Sequence, residues 1–146
     1  MNDSMGVACD RPPASSGRMF GTDATIFTHG TTVAQALDAA DELAKDGRSI
    51  RVVDMWTLKP IDQELIIRSA AETDGRFVVL EDHLAYGGLA TRIADVVTDN
   101  GVHLKGFERL GIPQVYAGFG DDEELRNKHG YGLEATIAAV RRVISA

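Results

Sequence analysis

The sequence contains only one cysteine, Cys9, and this scarcity excludes two kinds of site. One thiol cannot form an internal disulfide, and there is no cysteine pair that could hold zinc. Cys9 also lies in a tail rich in proline, serine and glycine, whereas a catalytic thiol needs a formed site around it. We therefore interpret Cys9 as an incidental thiol.

Basic residues and long apolar runs are also scarce. Lysine and arginine number 15 against 22 acidic residues, which gives a formal net charge of −7. Nucleic acids and anionic membranes are bound through basic patches, so neither is an expected partner. No apolar run has the length of a membrane span, and the N-terminus lacks the pattern of a signal peptide. The sequence therefore predicts a cytoplasmic protein.

The common phosphate and nucleophile motifs are missing as well. The chain has no G-x-x-x-x-G-K loop, no G-x-G-x-x-G after its first strand and no G-x-S-x-G elbow. Residues 1–17 carry too little apolar content to offset the entropy of ordering, which predicts a disordered leader before a domain at 18–146.

Strand and helix signals alternate along the domain. β-rich runs predict strands at 24–28, 49–58, 77–81 and 103–111. Between and after them, helical spacing and capping residues predict helices that begin near Thr31-Thr32, Asp62, Leu89, Asp121 and Leu133. Such alternation is typical of parallel βαβ units, in which ligands bind at the carboxyl ends of the strands. These ends carry His29–Thr31, Trp56–Pro60, Glu81–Gly88 and Arg109–Pro113.

The triplet Glu81-Asp82-His83 is the strongest polar cluster at these ends. It admits two interpretations: His83 is a proton shuttle oriented by a carboxylate, or the two acids cap the following turn and His83 lies at a contact surface. Gly87 and Gly88 either permit a tight turn or let another backbone or a ligand approach closely.

Three other strand-end features have simpler interpretations. The stretch from His29 to Thr32 precedes a helix, and capping explains it better than anion binding. Asp54 lies inside a strand and needs a hydrogen-bonding partner if it is buried. Met55 and Trp56 are predicted to be core residues.

Four stretches together resemble the C-terminal domain of transketolase. They are GTDATIFTHGTTVAQALDAADEL, IRVVDMWTLKPIDQELI, FVVLEDHLAYGGLATRIADVV and ERLGIPQVYAGFGDDEELRNKHGYGLEATI, and they cover about residues 18–145. The similarity is strongest to the C-terminal section of split transketolases. It extends to deoxyxylulose-phosphate synthase and the β subunit of 2-oxo acid dehydrogenases.

This resemblance implies a three-layer α/β/α fold with a five-stranded, mostly parallel mixed sheet, whose antiparallel edge strand could come only from residues 18–20. It also implies a transferase that uses thiamine diphosphate and Mg²⁺ to move a two-carbon ketol unit between sugar phosphates. The chain has no G-D-G motif, so we expect partner subunits to bind the cofactor through their diphosphate- and pyrimidine-binding domains. The chain would then be inactive alone and would work in a heterotetramer or higher heteromer.

The resemblance further implies that the segment from Glu81 to Arg92 faces a neighbouring subunit. The expected contact residues are Glu81, Asp82, His83, Tyr86, Gly87, Gly88, Leu89 and Arg92. His29, Trp56, His83 and Arg109 are expected to border a substrate channel, with His83 as the one catalytic candidate. We expect Leu84, Ala85, Tyr86 and Leu89 to form an exposed apolar patch.

Two alternative functions stay open at this point. The chain could belong to another thiamine enzyme, such as a synthase or an acyloin-type ligase. It could also be a free-standing regulatory module that binds a small anion at the strand ends.

Overall fold

The computed structural model describes residues 21–146. The leader that we expect to be disordered (1–17), Cys9 and the edge strand expected at 18–20 lie outside these residues. The described elements are β1 (Ala24–Thr28), α1 (Thr32–Lys45), β2 (Ile50–Asp54), α2 (Gln63–Glu72), β3 (Arg76–Leu84), α3 (Leu89–Asp99), β4 (Gly106–Ile112), α4 (Asp122–His129) and α5 (Leu133–Ser145). None of the described helices is long and apolar enough to cross a membrane.

The strands form one sheet in the order β2-β1-β3-β4, and every pair of neighbours is parallel. The expected α/β architecture is confirmed. The expectation of five strands in a mixed sheet is not met by residues 21–146, which form four parallel strands. The difference is the antiparallel strand, which was expected from residues outside this range.

Helices cover both faces of the sheet because successive strand residues point to opposite sides. On one face, Ile26 and Val78 belong to an apolar core that includes residues of α1 and α5. On the other face, Phe27 and Phe77 belong to a second core with residues of α2 and α3. The rings of Phe27 and Phe77 meet edge to face, with centroids 4.8 Å apart.

Two strand ends differ from the sequence prediction. β2 ends at Asp54 rather than at Leu58, because its neighbour β1 ends at the paired residue Thr28. β3 continues past Glu81 to Leu84, which pairs with Ile112 after a shift in register. The longer β3 therefore carries the whole polar triplet inside a strand.

One predicted helix cap is confirmed and another is wrong. Asp62 caps α2 as predicted, since its Oδ1 accepts a hydrogen bond from the Leu65 N–H at 2.9 Å. Thr31 occupies the N-cap position of α1, but its side chain makes no capping bond. Its hydroxyl donates to Asp82 instead, at 3.2 Å.

Candidate functional site

Glu81 is a buried carboxylate that holds the start of α3. Glu81 is only 1% exposed to solvent. Oε2 accepts a hydrogen bond from the Leu89 N–H at 2.8 Å, and Oε1 accepts one from the Ala90 N–H at 3.1 Å. A negative charge at a helix N-terminus is favourable because N–H groups there have no partner within the helix. Both carboxylate oxygens of Glu81 therefore stabilise the start of α3.

The paired glycines have different tasks beside this carboxylate. A Cβ atom on Gly88 would lie 2.1 Å from Glu81 Oε2, so the close approach at Gly88 is to a side chain of the same chain. Gly87 has a φ of +93°, a left-handed conformation that favours glycine, and the space around its Cα is open. Its N–H donates to Thr91 Oγ1 at 2.8 Å.

Asp82 points the opposite way and joins separate parts of the chain. Adjacent residues of a strand face opposite sides of the sheet, which explains the contrast with Glu81. Asp82 Oδ1 accepts a hydrogen bond from the Tyr131 hydroxyl at 3.0 Å. Its Oδ2 accepts from Thr31 at 3.2 Å and lies 3.5 Å from the Arg126 guanidinium. Asp82 therefore links the turn before α1 to α4 and to the turn before α5.

Arg126 and Gln35 extend this network. The Arg126 side chain is only 11% exposed and lies 2.8 Å from Asp122. It also donates to Gln35 Oε1 at 3.4 Å, while the Gln35 amide donates to the Tyr131 carbonyl at 2.7 Å. Burial, followed by the hydrogen bond to Asp82, raises the pKa of Tyr131 to about 12.

A cleft of about 490 Å³ opens beside the network, between the starts of α1, α4 and α5. Its charged lining consists of one guanidinium and four carboxylates, namely Arg126, Asp38, Asp122, Glu123 and Glu134. The guanidinium already contacts Asp82 and Asp122. This excess of negative charge does not favour binding of a small anion.

His83 lies at the surface apart from both acids. Its Nδ1 is 3.1 Å from the Leu84 carbonyl oxygen. Within residues 21–146 no carboxylate bonds to His83, because Glu81 and Asp82 are directed to other partners. The geometry that would orient His83 as a proton shuttle is not present in the described part of the chain.

Of the other channel-edge candidates, His29 follows β1 and Arg109 lies inside β4. Asp54, which was not among those candidates, is the last residue of β2. Asp54 Oδ1 is buried and has no hydrogen-bonding partner among residues 21–146. Burial raises the pKa of Asp54, and the nearby His29 lowers it in part. The Arg109 guanidinium stacks over the rings of Tyr86 and Phe107, at 5.0 and 5.2 Å from their centroids.

Three predictions about exposure need correction. Met55 is a core residue as predicted, but Trp56 is 53% exposed, because it follows the end of β2. In the expected apolar patch, Ala85 is 8% exposed and Leu89 is fully buried. The Ala85 N–H is bonded to the Ile112 carbonyl, and Leu89 faces the core from the first turn of α3. Arg92 lies on the outer surface of α3, where it pairs with Asp95 at 3.0 Å.

Large exposed apolar side chains are instead found at the end of β3 and in the segments that follow β2, β3 and β4. We call this set the apolar edge, and it consists of Trp56, Leu58, Leu84, Tyr86, Val115, Tyr116 and Phe119. Tyr116 and Phe119 are fully exposed. Sequence reasoning missed the last three residues, although the run VYAGF carried the signal.

The described residues contain no group of three or more His, Cys, Asp and Glu side chains that could hold a metal ion. A Mg²⁺ ion needs several oxygen ligands, and the one fully buried carboxylate at this edge has both oxygens bonded to backbone N–H groups. The described residues therefore do not fit a Mg²⁺–diphosphate site.

Comparison with known proteins decides the family. The profile of the transketolase C-terminal domain matches residues 17–135. The chain belongs to this family. It is 32% identical over 140 residues to 1-deoxy-D-xylulose-5-phosphate synthase 1 of Geobacter metallireducens, which covers 94% of this chain and 22% of that protein. It is 38% identical over 122 residues to mouse (Mus musculus) transketolase, covering 83% of this chain and 19% of that protein.

A solved structure of a split gene transketolase, described as an inactive beta4 tetramer, has the same fold. It superposes with a TM-score of 0.78 at 36% identity, covering 86% of this chain and 40% of that one. The likeness to transketolases, split transketolases and deoxyxylulose-phosphate synthases is thereby confirmed. The chain spans only about a fifth of the length of the synthase and transketolase it matches.

Proposed function

We propose that this chain is the C-terminal component of a thiamine-diphosphate-dependent, transketolase-type enzyme in the cytoplasm. In this proposal it supplies assembly contacts, and partner subunits bind the cofactor and Mg²⁺. The proposal rests on how much of each protein the matches cover. The profile of the C-terminal domain matches residues 17–135 of this chain, and the matched part is only about a fifth of the length of the related enzymes. In this proposal the remaining functions of such an enzyme are supplied by partner subunits.

The hydrogen bonds at the strand ends support a role in assembly rather than in catalysis. Polar side chains at this edge, Glu81 and Asp82 above all, bond to groups of the same chain. We therefore assign no catalytic step to residues of this chain, and we propose that His83 has no part in proton transfer.

The apolar edge supports an assembly role. Aromatic side chains are enriched in protein interfaces, and clustered exposed apolar groups mark contact surfaces. Five of the large exposed apolar residues lie at the end of β3 or after β3 and β4, at the same end of the sheet as the Glu81–Gly88 segment. This edge is the part of the surface that best suits a partner subunit.

The inactive state of the split gene transketolase tetramer supports the proposal that this chain needs partner subunits for activity. That protein is a split gene transketolase whose tetramer of one chain type is inactive. We propose that the present chain is likewise inactive alone and becomes part of an active heterotetramer or larger heteromer.

Reconstitution tests the proposal. The chain, a candidate partner with the diphosphate- and pyrimidine-binding domains, and their mixture are each assayed for ketol transfer with thiamine diphosphate and Mg²⁺. We expect turnover only in the mixture. If the partner assembles and turns over normally without this chain, the proposed function is wrong.

A second candidate is a deoxyxylulose-phosphate synthase. It is favoured by matches such as the 40% identity over 126 residues to the Heliobacterium modesticaldum enzyme, which is comparable to the 38% identity over 122 residues to mouse transketolase. The same mixture is therefore assayed for 1-deoxy-D-xylulose 5-phosphate. Formation of that product without ketol transfer between sugar phosphates would select the synthase.

A further inference from the structure

The loop after β4 presents aromatic side chains to solvent in an unusual way. We call residues 113–124 the docking arm; they comprise this loop and the first turn of α4. Tyr116 and Phe119 are fully exposed and Val115 is 52% exposed. Leaving an aromatic side chain in water forfeits about 2 kcal/mol of burial free energy, so this arrangement is unfavourable for an isolated chain.

The docking arm is held in place despite its exposure. His129 Nε2 lies 3.0 Å from the Ala117 carbonyl oxygen, which ties the loop to the end of α4. Asp121 Oδ1 accepts a hydrogen bond from the Glu123 N–H at 3.0 Å and caps α4. A surface ordered before binding loses less conformational entropy when a partner docks.

Negative charge follows directly behind the aromatic side chains. Residues 121–124 are four consecutive acids, and residues 113–124 include no basic residue. Asp121 is used in capping and Asp122 pairs with Arg126. Glu123 and Glu124 make no ion pair with any residue from 21 to 146. The free charges of the arm are therefore carboxylates.

We propose that the docking arm inserts Tyr116 and Phe119 into an apolar pocket of the partner subunit whose rim carries arginine and lysine. Glu123 and Glu124 carry negative charges, and a basic rim on the partner would complement them. It disfavours a second copy of this chain, which has a net charge of −7, and it disfavours anionic membranes and nucleic acids for the same reason. This inference rests on the proposed function and specifies the chemistry of the partner.

The test measures binding of variants to the partner subunit that restores activity. Tyr116→Ser/Phe119→Ser removes the anchors, and Glu123→Gln/Glu124→Gln removes the free charges. Tyr116→Phe keeps the ring, and Glu64→Gln/Asp99→Asn removes two exposed acids on α2 and α3, so these two serve as matched controls. The dissociation constant is measured by calorimetry at low and high salt, and the melting temperature of each chain checks folding.

We expect the double serine variant to bind about 30-fold more weakly or worse with an unchanged melting temperature, as for paired interface anchors. The double glutamine variant should bind about 5-fold more weakly at low salt, and the difference should shrink at high salt. Both control variants should bind as the wild type does.

Three outcomes would overturn the inference, and they separate it from the proposed function. If the wild-type and double serine chains bind and activate the partner equally, the role proposed for the docking arm is wrong, while the proposed function of the chain stands. If the double glutamine variant binds more tightly, the pocket rim is acidic rather than basic. If sedimentation shows wild-type self-association that the serine variant abolishes, the occupant is a second copy. Failure of the wild type to activate any partner would instead refute the proposed function itself.

Discussion

Glu81 and Tyr116 lie at the same edge of the sheet, and their surroundings are opposite. Glu81 is 1% exposed, and both its oxygens accept hydrogen bonds from the backbone. Tyr116 is fully exposed in the loop that follows the neighbouring strand. The residue type that usually indicates catalysis here stabilises the fold, and an aromatic residue, a type that is usually buried, is here exposed to solvent. The four predictions below test this contrast.

The largest effect is expected at Glu81. Glu81→Ala leaves two buried N–H groups without their acceptor and removes a favourable charge at the helix N-terminus, which should cost about 3 kcal/mol of unfolding free energy. The matched control is His83→Ala, an exposed neighbour that should cost less than about 0.5 kcal/mol. Urea unfolding measures both. Equal costs would contradict the structural role of Glu81.

Gly88 should be the next most sensitive position. Gly88→Ala forces a Cβ against Glu81 Oε2 and should cost about 2 kcal/mol. In a Glu81→Ala background the clash partner is gone, so the cost should fall to well under about 1 kcal/mol. A double-mutant cycle by urea unfolding gives the coupling. An additive cycle would mean that Gly88 is required for some other reason.

Tyr131 should give a smaller effect that depends on pH. Tyr131→Phe removes the hydrogen bond to Asp82 and should cost about 1 kcal/mol at neutral pH. The pKa of Tyr131 is raised from 10.0 to about 12, so the unfolded state loses the proton first. The stability from this hydroxyl is therefore complete below pH 10 and is lost as pH rises through 12. Unfolding of both proteins from pH 8 to 12 should show a steeper decline for the wild type, and parallel declines would refute the assignment.

The smallest effect on the isolated chain is expected at Tyr116. Tyr116→Ser changes a side chain that is fully exposed, so its unfolding free energy should stay within about 0.5 kcal/mol of the wild type. Thermal or urea unfolding checks this. A loss as large as that of Glu81→Ala would mean that the tyrosine packs within the chain in solution, and the contrast would disappear.

Local patterns were sufficient to predict most of the elements. The strand at 24–28 and the capping side chain of Asp62 follow from nearby sequence alone. The end of β2 could not be predicted, because Trp56 and Thr57 have strong strand propensity and only the end of β1 stops the pairing. One of the two interpretations of the acid pair, capping of the following turn, holds for Glu81.

The network around Asp82 was beyond sequence reasoning. Its partners Thr31, Arg126 and Tyr131 lie 51, 44 and 49 residues away, so only the folded geometry brings them together. Leu84 is exposed as expected, but the burial of Leu89 was not predicted, because composition does not distinguish two leucines of one short segment. The extension of β3 and the position of α3 decide which of them faces the core.

The central claim is that this chain provides assembly contacts rather than chemistry. It is tested most directly by the turnover number of the reconstituted enzyme that carries His83→Ala, with assembly verified by sedimentation. We predict a turnover number equal to that of the wild type, since no carboxylate among residues 21–146 bonds to His83. A fall of about 100-fold or more in an intact complex would show general acid–base catalysis by His83 and would contradict the account.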